Sequence, residues 1–443
     1  MSSIKTDASD MQNWYVSNFK AFETSLNGSS ELPFHQVRKS ALEAFNKLGF
    51  PGRRDEEWKY TSVSPILKHK FQLDLPSNKL SAKDIEKYAF KALSKNLVVL
   101  INGHYSPEFS NYEAPDGVIV ESLSGATEKH ASLVNKYLAK IADFSEDPFT
   151  ALNTAFANDG VFIHIADNAV IEQPIHLLYI SDAREKEFYA NPRNLVIAGK
   201  HSQAKIVEKY AAIDAENVYF NNGVTEVVMN VGAKLDYIRV QDEALNAFHI
   251  KTLQAHQVRD SNFTLVNLDM GGKLVRNNFN LKLDDEHCEG HLIGAYMATG
   301  RQHIDNHTAI DHAKPNCYSN EVYKGILGGK SRGVFNGKIF VRQDAQKTNA
   351  YQNNKALLLT DDAVINSKPQ LEIFADDVKC SHGATVGQLD DESLFYLRSR
   401  GIPADVAYSM LQYAFVLEAL DYVTIDEIRE ELDEQLLEHF RKL

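Results

Sequence analysis

The stretch DDVKCSHGATVGQLDDESLFYLRSRG, from Asp376 to Gly401, marks a change in the character of the chain. The segment before it alternates apolar and polar residues, as β-strands do, and the segment after it repeats apolar residues at helical spacing. A thiol and an imidazole, Cys380 and His382, lie two residues apart at this boundary. The stretch therefore predicts the junction of a β-rich region with a helical region, and it holds a candidate chemical site.

The segment from about Gly160 to Phe374 predicts a large all-β region. Short alternating runs recur along it; in FNLKLDD, for example, Phe279, Leu281 and Leu283 share one face. Glycine pairs mark turns between these runs, and no convincing helical pattern interrupts them.

A weak internal repeat favours one architecture for this region. A small residue, then Lys, then Ile or Leu occurs at Ala204–Ile206, Ala233–Leu235 and Gly272–Leu274. Repeated units with insertions of variable length are typical of a solenoid, and few two-residue Asn-Gly or Asp-Gly turns are present to support a hairpin meander. We therefore expect a parallel β-helix rather than a sandwich, with strand edges at both ends that need caps.

Three helices are predicted after the junction. Asp390 can cap the first, which ends at Gly401, Pro403 begins the second, and Thr424 with Glu427 resembles a capping box for the third. In the second helix we expect a single inward face, made by Val406, Met410, Leu411, Ala414 and Leu417.

Helical patterns also dominate the beginning of the chain. The predicted organisation is therefore a mostly helical region over residues 1–158, the β-helix core over residues 159–388, and a helical region over residues 389–443 that supplies one cap.

Composition excludes several classes of protein. A formal net charge of −13 argues against a nucleic-acid partner. No run of about 18 apolar residues predicts a membrane span, and the N-terminus lacks a secretory signal pattern. Three cysteines are too few for a disulfide framework, so we expect free thiols, a reducing environment and a cytoplasmic location.

A histidine-rich stretch is a candidate metal site. It contains His303, His307, His312 and Cys317, and both imidazole and thiolate are good zinc or iron ligands. The spacings fit no standard zinc pattern, and these residues could equally form local hydrogen bonds at strand ends.

Two other motifs suggest enzymes. GILGGKSRG, from Gly325, imitates a phosphate loop, but Lys324 occupies the position that needs glycine, so we expect no ATP to bind this chain. A β-helix hydrolase or lyase would need convergent carboxylates. The candidate pairs, which more often mark turns, are Asp284-Asp285, Asp361-Asp362 and Asp376-Asp377.

Cys380-Ser381-His382 leaves two interpretations open. In a strand, residues two apart lie on one face, so the thiol and the imidazole would be neighbours and could form a soft pair of ligands. A buried cysteine beside a hydrogen-bonded histidine would have the same spacing.

Four longer runs resemble the SufB/SufD family of iron–sulfur cluster assembly proteins. They are RRDEEWKYT (Arg53–Thr61), RQHIDNHTAIDHAKPNCYSNEVYKGIL (Arg301–Leu327), GVFNGKIFVRQDAQKTNAYQNNKALLL (Gly333–Leu359) and EIFADDVKCSHGATVGQLDDESLFYLRSRGI (Glu372–Ile402). The first run alone predicts only a solvated turn leading into an aromatic anchor, with a binding role as the alternative. The resemblance implies a right-handed parallel β-helix flanked by helices.

The resemblance also implies partners and sites. A SufB chain would pair with the last strands of the β-helix, which places Cys380 and His382 at the interface, where a transient iron–sulfur cluster is shared and His382 is a metal ligand. The SufC ATPase would dock on the C-terminal helices, at Leu394, Leu397, Val406, Met410 and Leu417. SufB-like chains carry a cysteine in a Thr-Gln-Cys-Asp-Ser run, whereas this chain has Gln352-Asn353-Asn354-Lys355 there, which favours the SufD-like branch.

Two hypotheses follow. In the favoured one, the chain is a scaffold without catalytic residues, which couples SufC movement to the SufB–SufD interface and could form a homodimer in isolation. The alternative is an enzyme, either a β-helix hydrolase or lyase or a metalloenzyme that uses the histidine cluster.

Overall fold

The strands and helices have the following bounds in the computed structural model, which describes residues 2–26, 29–73, 80–213 and 216–441. The strands are β1 (Gln72–Leu73), β2 (Leu97–Ile101), β3 (His104–Tyr105), β4 (Val118–Ser122), β5 (Val161–Ile165), β6 (Ile175–Ser181), β7 (Phe188–Ala190), β8 (Arg193–Ala198), β9 (Gln203–Ala212), β10 (Tyr219–Met229), β11 (Lys234–Asp242), β12 (Phe248–Gln257), β13 (Asn262–Asp269), β14 (Leu274–Leu283), β15 (Glu289–Ala298), β16 (His303–His312), β17 (Tyr318–Leu327), β18 (Arg332–Val341), β19 (Asn349–Leu358), β20 (Val364–Ile373) and β21 (Lys379–Gly387). The helices are α1 (Ser2–Ser25), α2 (Pro33–Leu48), α3 (Ala82–Tyr88), α4 (Leu123–Lys129), α5 (Ala131–Tyr137), α6 (Pro148–Phe156), α7 (Asp391–Ser399), α8 (Ala404–Leu420) and α9 (Asp426–Phe440).

Successive strands from β8 onward alternate between two parallel sheets. Even-numbered strands β8 to β20 form the first sheet, and odd-numbered strands β9 to β21 form the second. Each strand pairs with the strand two places later, so the chain winds through about 8 turns of a β-solenoid. The prediction of a mainly β chain with a parallel β-helix core and flanking helices is confirmed.

The structural repeat differs from the sequence repeat that suggested it. The first paired residues of the second-sheet strands recur about 30 residues apart, and they are Gln203, Lys234, Asn262, Glu289, Tyr318, Asn349 and Lys379. Lys234 pairs with Gln203 and not with Lys205. Lys273 precedes a strand of the other sheet, so the Lys-containing repeat does not mark equivalent positions.

A conformational repeat marks the same corner of successive turns. In each second-sheet strand from β9 to β19, the residue two positions before the first paired residue has a positive φ. Glycine, asparagine and aspartate tolerate this conformation best. The residues at this corner are His201, Gly232, Asp260, His287, Asn316 and Lys347.

Helices α1, α2 and α6 cover the outer face of the first sheet. Their aromatic side chains, among them Tyr15, Phe45 and Phe149, form one buried cluster with Phe220 and Phe248 of the sheet. Burial of large aromatic surfaces is a strong source of stability. The N-terminal region is therefore packed along the side of the β-helix.

The C-terminal helices cover the outer face of the second sheet. Val416 and Leu420 of α8 pack with Ile293 of β15 and with Val322 and Ile326 of β17. On α9, the buried residues recur at helical spacing and are Ile428, Leu432, Leu436 and Phe440.

The predicted inward face of α8 is wrong. Of its five predicted members, Met410 and Ala414 are exposed, and Val406, Leu411 and Leu417 are only half-buried. The buried residues are instead Ala407, Ser409, Gln412, Val416, Ala419 and Leu420. The helix is apolar on both sides, so hydrophobic periodicity alone could not choose its buried face.

One further prediction about the C-terminal region is wrong. Thr424 does not form a capping box; its hydroxyl donates instead to the carboxylate of Asp236 on β11, at 2.7 Å. The C-terminal helices flank the β-helix beside β15 and β17, and β20 and β21 keep free outer edges. Among the described helices, none combines the length and the hydropathy that a membrane span requires.

Candidate functional site

The last turn of the β-helix ends in two open strand edges. Among the strands of the described ranges, β20 pairs only with β18, and β21 pairs only with β19. Apolar side chains are exposed along this end, which we call the open rim; they are Val364, Ile373, Phe374 and Val386. Unpaired backbone groups beside exposed apolar side chains favour pairing with another chain.

Cys380 and His382 both face the interior of the β-helix, the lumen, at this rim. Their register partners on β19 are Ala350 and Gln352, which are buried in the lumen. The prediction that the two side chains share one face is therefore confirmed, since β21 is a regular strand there. Because no further turn covers β21, Cys380 is only half-buried and His382 is exposed.

The surroundings of Cys380 favour the protonated thiol. Burial raises the pKa of its thiol, and the backbone hydrogen bond at Ala350 offsets this only in part. The thiol is therefore protonated at neutral pH in this state. The side chain of His382 makes no hydrogen bond or ion pair with the rest of the described chain, so its ring is unoccupied at the rim.

A polar column lies directly beneath His382 in the lumen. Gln352 pairs in register with His382 on one side and with Glu321 on the other. Its Nε2 donates to Oε2 of Glu321 at 2.7 Å, and the Thr308 hydroxyl donates to the other carboxylate oxygen. Burial raises the pKa of Glu321 to about 7, against the smaller effect of these two hydrogen bonds.

Deeper turns of the lumen hold a network of paired charges. Arg239 lies 2.9 Å from Asp269, and Lys251 lies 2.8 Å from Glu208, with all four side chains fully buried. Asn277 extends the network by donating to Asp269 at 2.7 Å. Buried charges are tolerated when they are paired in this way, so the network ties adjacent turns together.

The local sequence pattern does not predict this network. One feature of the sequence does indicate one member of it, namely a charged residue at a position where strand alternation places apolar residues. Arg239 is such a residue, because it lies two residues after Tyr237 and four after Leu235. The partner that neutralises it lies a full turn away along the chain, where no local pattern indicates it.

The predicted histidine cluster does not converge on one point. His303 and His307 project from the outer face of β16, whereas His312 faces the lumen and bonds Ser319 at 2.8 Å. Cys317 lies in the next corner. Within the described residues no group of three or more metal-binding side chains exists, so the metalloenzyme hypothesis loses its ligand set.

His307 instead takes part in a contact between the N-terminal RRDEEWKYT segment and the first sheet, which we call the clasp. Its ring lies 3.3 Å from Glu57 and 3.1 Å from Asp305. Lys338 also pairs with Glu57. The hydrogen bonds from His307 and Lys338 lower the pKa of Glu57 to about 2, although burial opposes this.

Arg276 holds the centre of the clasp. Its guanidinium lies 4.2 Å from the centre of the Trp58 ring and 2.7 Å from a carboxylate oxygen of Asp305. At the margin, Lys368 pairs with the exposed Glu56. The aromatic anchor predicted for this motif is therefore present, and its charged residues contact the β-helix itself.

The other enzyme motifs fall in turns. Gly328 and Gly329 connect β17 to β18, without the helix that a phosphate loop requires. The three aspartate pairs lie in three separate connections between strands, after β14, β19 and β20. None of them forms a convergent pair of carboxylates from two strands.

The residues predicted to dock SufC lie on an apolar surface of α7 and α8. Leu394, Leu397, Val406 and Leu417 are half-buried and Met410 is exposed. The most exposed neighbours are Phe395, Tyr396 and Tyr408, and α7 buries no residue fully. These residues of α7 and α8 are together called the α7–α8 patch.

Comparison with known proteins agrees with this architecture. Residues 179–415 match the family described as SUF system FeS cluster assembly, SufBD core domain, and residues 9–177 match the SufBD protein N-terminal region. A SufBD family protein of Synechocystis, slr0076, is 32% identical and covers 92% of this chain and 91% of its own length.

Two further relatives extend over nearly the whole chain. Protein ABCI7, chloroplastic, of Arabidopsis thaliana is 30% identical over 97% of this chain and 91% of its own length. The iron-sulfur cluster assembly protein SufD of Escherichia coli is 27% identical over 98% of this chain and 97% of its own length. The chain therefore belongs to the SufBD family of the Suf iron–sulfur cluster assembly system.

Proposed function

We propose that this chain is a non-catalytic scaffold subunit that forms half of a cluster-assembly site and completes it with a SufB chain. The observation that carries this proposal is the position of Cys380 and His382 at the open rim, on the lumen face of a strand that has a free edge. The nascent iron–sulfur cluster is the cargo of this site and not a resident cofactor.

The ligand count supports a shared site. A four-iron cluster is commonly held by four protein ligands, most often thiolates. The rim of this chain offers one thiol and one imidazole, and the other two cysteines, Cys288 and Cys317, are buried. The remaining ligands must come from the partner chain, and ionisation of Cys380 would accompany metal binding there.

The form of the rim supports SufB as the partner that lies across it. Two parallel sheets that both end in free edges can continue into the sheets of a similar β-helix, and exposed Phe374 and Ile373 add apolar contact. The same edges could pair two copies of this chain when SufB is absent.

The α7–α8 patch supports docking of the SufC ATPase. Exposed aromatic and methionine side chains on adjacent helices are typical of a protein interface. The opposite face of α8 packs on β15 and β17. Movement of SufC during its ATP cycle would therefore be transmitted through α8 to the β-helix and onward to the rim.

Co-expression with the cognate SufB and SufC proteins tests this function. We expect one complex that contains all three chains, and Phe374→Asp should release SufB because it places a charge in the apolar rim. Leu245→Asp is the matched control, since Leu245 is equally exposed on a turn far from the rim. Failure to form the complex, or equal effects of both substitutions, would contradict the proposal.

A further inference from the structure

One corner of the β-helix repeats a small side chain in successive turns. The residue directly after each positive-φ corner residue points into the core and is buried; these residues are Ser202, Ala233, Ser261, Cys288, Cys317 and Thr348. The hydroxyls of Ser202 and Thr348 donate to the carbonyl three residues earlier, at 2.8 Å and 2.9 Å. A serine or threonine hydroxyl therefore finds a hydrogen-bond acceptor at this position.

Two consecutive turns place a thiol there instead. Cys288 and Cys317 immediately precede the register partners Glu289 and Tyr318, and the Tyr318 amide donates to the Cys288 carbonyl at 2.9 Å. Adjacent strands lie about 4.8 Å apart, which is within the range of about 4.4–6.8 Å between the Cα atoms of disulfide-bonded cysteines. The backbone therefore permits a bond between these two residues.

The side chains are already directed at each other. Both sulfur atoms lie 3.2 Å from the same carbonyl oxygen, that of Asp285, so the two thiols converge on one point. The neighbouring Cys317 thiol lowers the pKa of Cys288, against the effect of burial, and the Cys288 thiol in turn raises the pKa of Cys317. Cys288 is therefore the thiol that ionises first and the stronger candidate nucleophile.

We propose that Cys288 and Cys317 form a redox-active dithiol site, which hydrogen peroxide oxidises to a disulfide that links two adjacent turns. The Cys288 thiolate attacks the O–O bond and becomes a sulfenic acid, and the hydroxide that leaves takes up the proton released by the thiol. The Cys317 sulfur then attacks the sulfenic sulfur, and a second water leaves. Two electrons pass from the thiol pair to the peroxide, which is reduced to two waters.

The site differs in kind from the rim. Both sulfurs are buried, which excludes bulky thiols or a partner protein and leaves a small oxidant such as hydrogen peroxide as the reagent to test. The resulting disulfide would close a loop of one β-helix turn, and it would stabilise the core mainly by restricting the unfolded chain. This inference does not depend on the proposed scaffold function.

The test uses the full chain with Cys380→Ser, which removes the rim thiol. After reduction and treatment with hydrogen peroxide, we expect the intact mass to fall by two hydrogen atoms, and peptide mapping to join Cys288 to Cys317. The unfolding midpoint should rise by about 4 °C and return when dithiothreitol is added.

Cys288→Ser and Cys317→Ser are matched controls, because serine or threonine fills the same corner in neighbouring turns. Each should fold normally and lose both the mass change and the rise in midpoint. An unchanged mass, oxygen addition at single cysteines without a cross-link, or a cross-link only between molecules would overturn the proposal.

Discussion

Gln352 lies directly beneath His382 in register on adjacent strands, so the exposed imidazole at the rim is the outer end of a buried polar column. Gln352 in turn donates to the carboxylate of Glu321, one turn deeper, at 2.7 Å. The rim imidazole therefore lies above a lumen whose charge state depends on pH.

Ionisation of Glu321 should destabilise the protein. Burial raises its pKa from the ordinary value of 4.5 to about 7. Between these pH values the folded protein keeps a proton that the unfolded chain has released, so stability falls as pH rises to about 7 and then stays low. Glu321→Gln removes this dependence, and at pH 8 it should raise the free energy of unfolding by about 2–3 kcal/mol.

Urea unfolding of wild type and Glu321→Gln at pH 5 and pH 8 measures this difference. The two proteins should be nearly equal in stability at pH 5 and well separated at pH 8. A constant difference at both pH values would indicate that packing, and not ionisation, separates them.

Removal of Arg276 should weaken the clasp and substantially lower the free energy of unfolding. Arg276 and Asp305 form a buried ion pair. Burial opposes ionisation of Asp305, but its interactions, first among them the charge of Arg276, hold the pKa of this carboxyl well below its ordinary range. Arg276→Met leaves that carboxylate without its main partner, which should cost about 3–5 kcal/mol of stability.

Lys368→Ala is the matched control for the clasp. It breaks the pair with Glu56, which is largely exposed, and should cost less than about 1 kcal/mol. Chemical unfolding monitored by the fluorescence of tryptophan, including the buried Trp58, compares the two variants. Similar losses of unfolding free energy in the two variants would show that the clasp is no stronger at Arg276 than at Lys368.

Charge on the α7–α8 patch should weaken SufC binding without affecting the fold. Met410 is exposed, so Met410→Glu should leave the thermal midpoint unchanged and reduce the affinity for SufC about tenfold or more. Met410→Leu keeps the apolar surface and should bind normally. Calorimetric titration with SufC that gave the same affinity for both variants would remove this patch from the docking surface.

The sequence predicted the fold well where local periodicity carries the information. The same-face geometry of Cys380 and His382 follows from strand alternation, which is a local property. Partners a full turn apart, such as Arg239 and Asp269, could not be predicted because no local pattern pairs them. The buried face of α8 was missed because Met410 and Val416, on different sides of the helix, are both apolar.

The most direct test of the scaffold account is cluster assembly in the reconstituted SufB–SufC complex with His382→Ala. We expect a severalfold lower yield of cluster, measured by visible absorbance, with an unchanged unfolding midpoint, because His382 is exposed and makes no contact on which the fold depends. His287→Asn, at an exposed corner away from the rim, should assemble cluster normally. A normal yield with His382→Ala would contradict the account, and so would a loss of yield that merely parallels a loss of thermal stability.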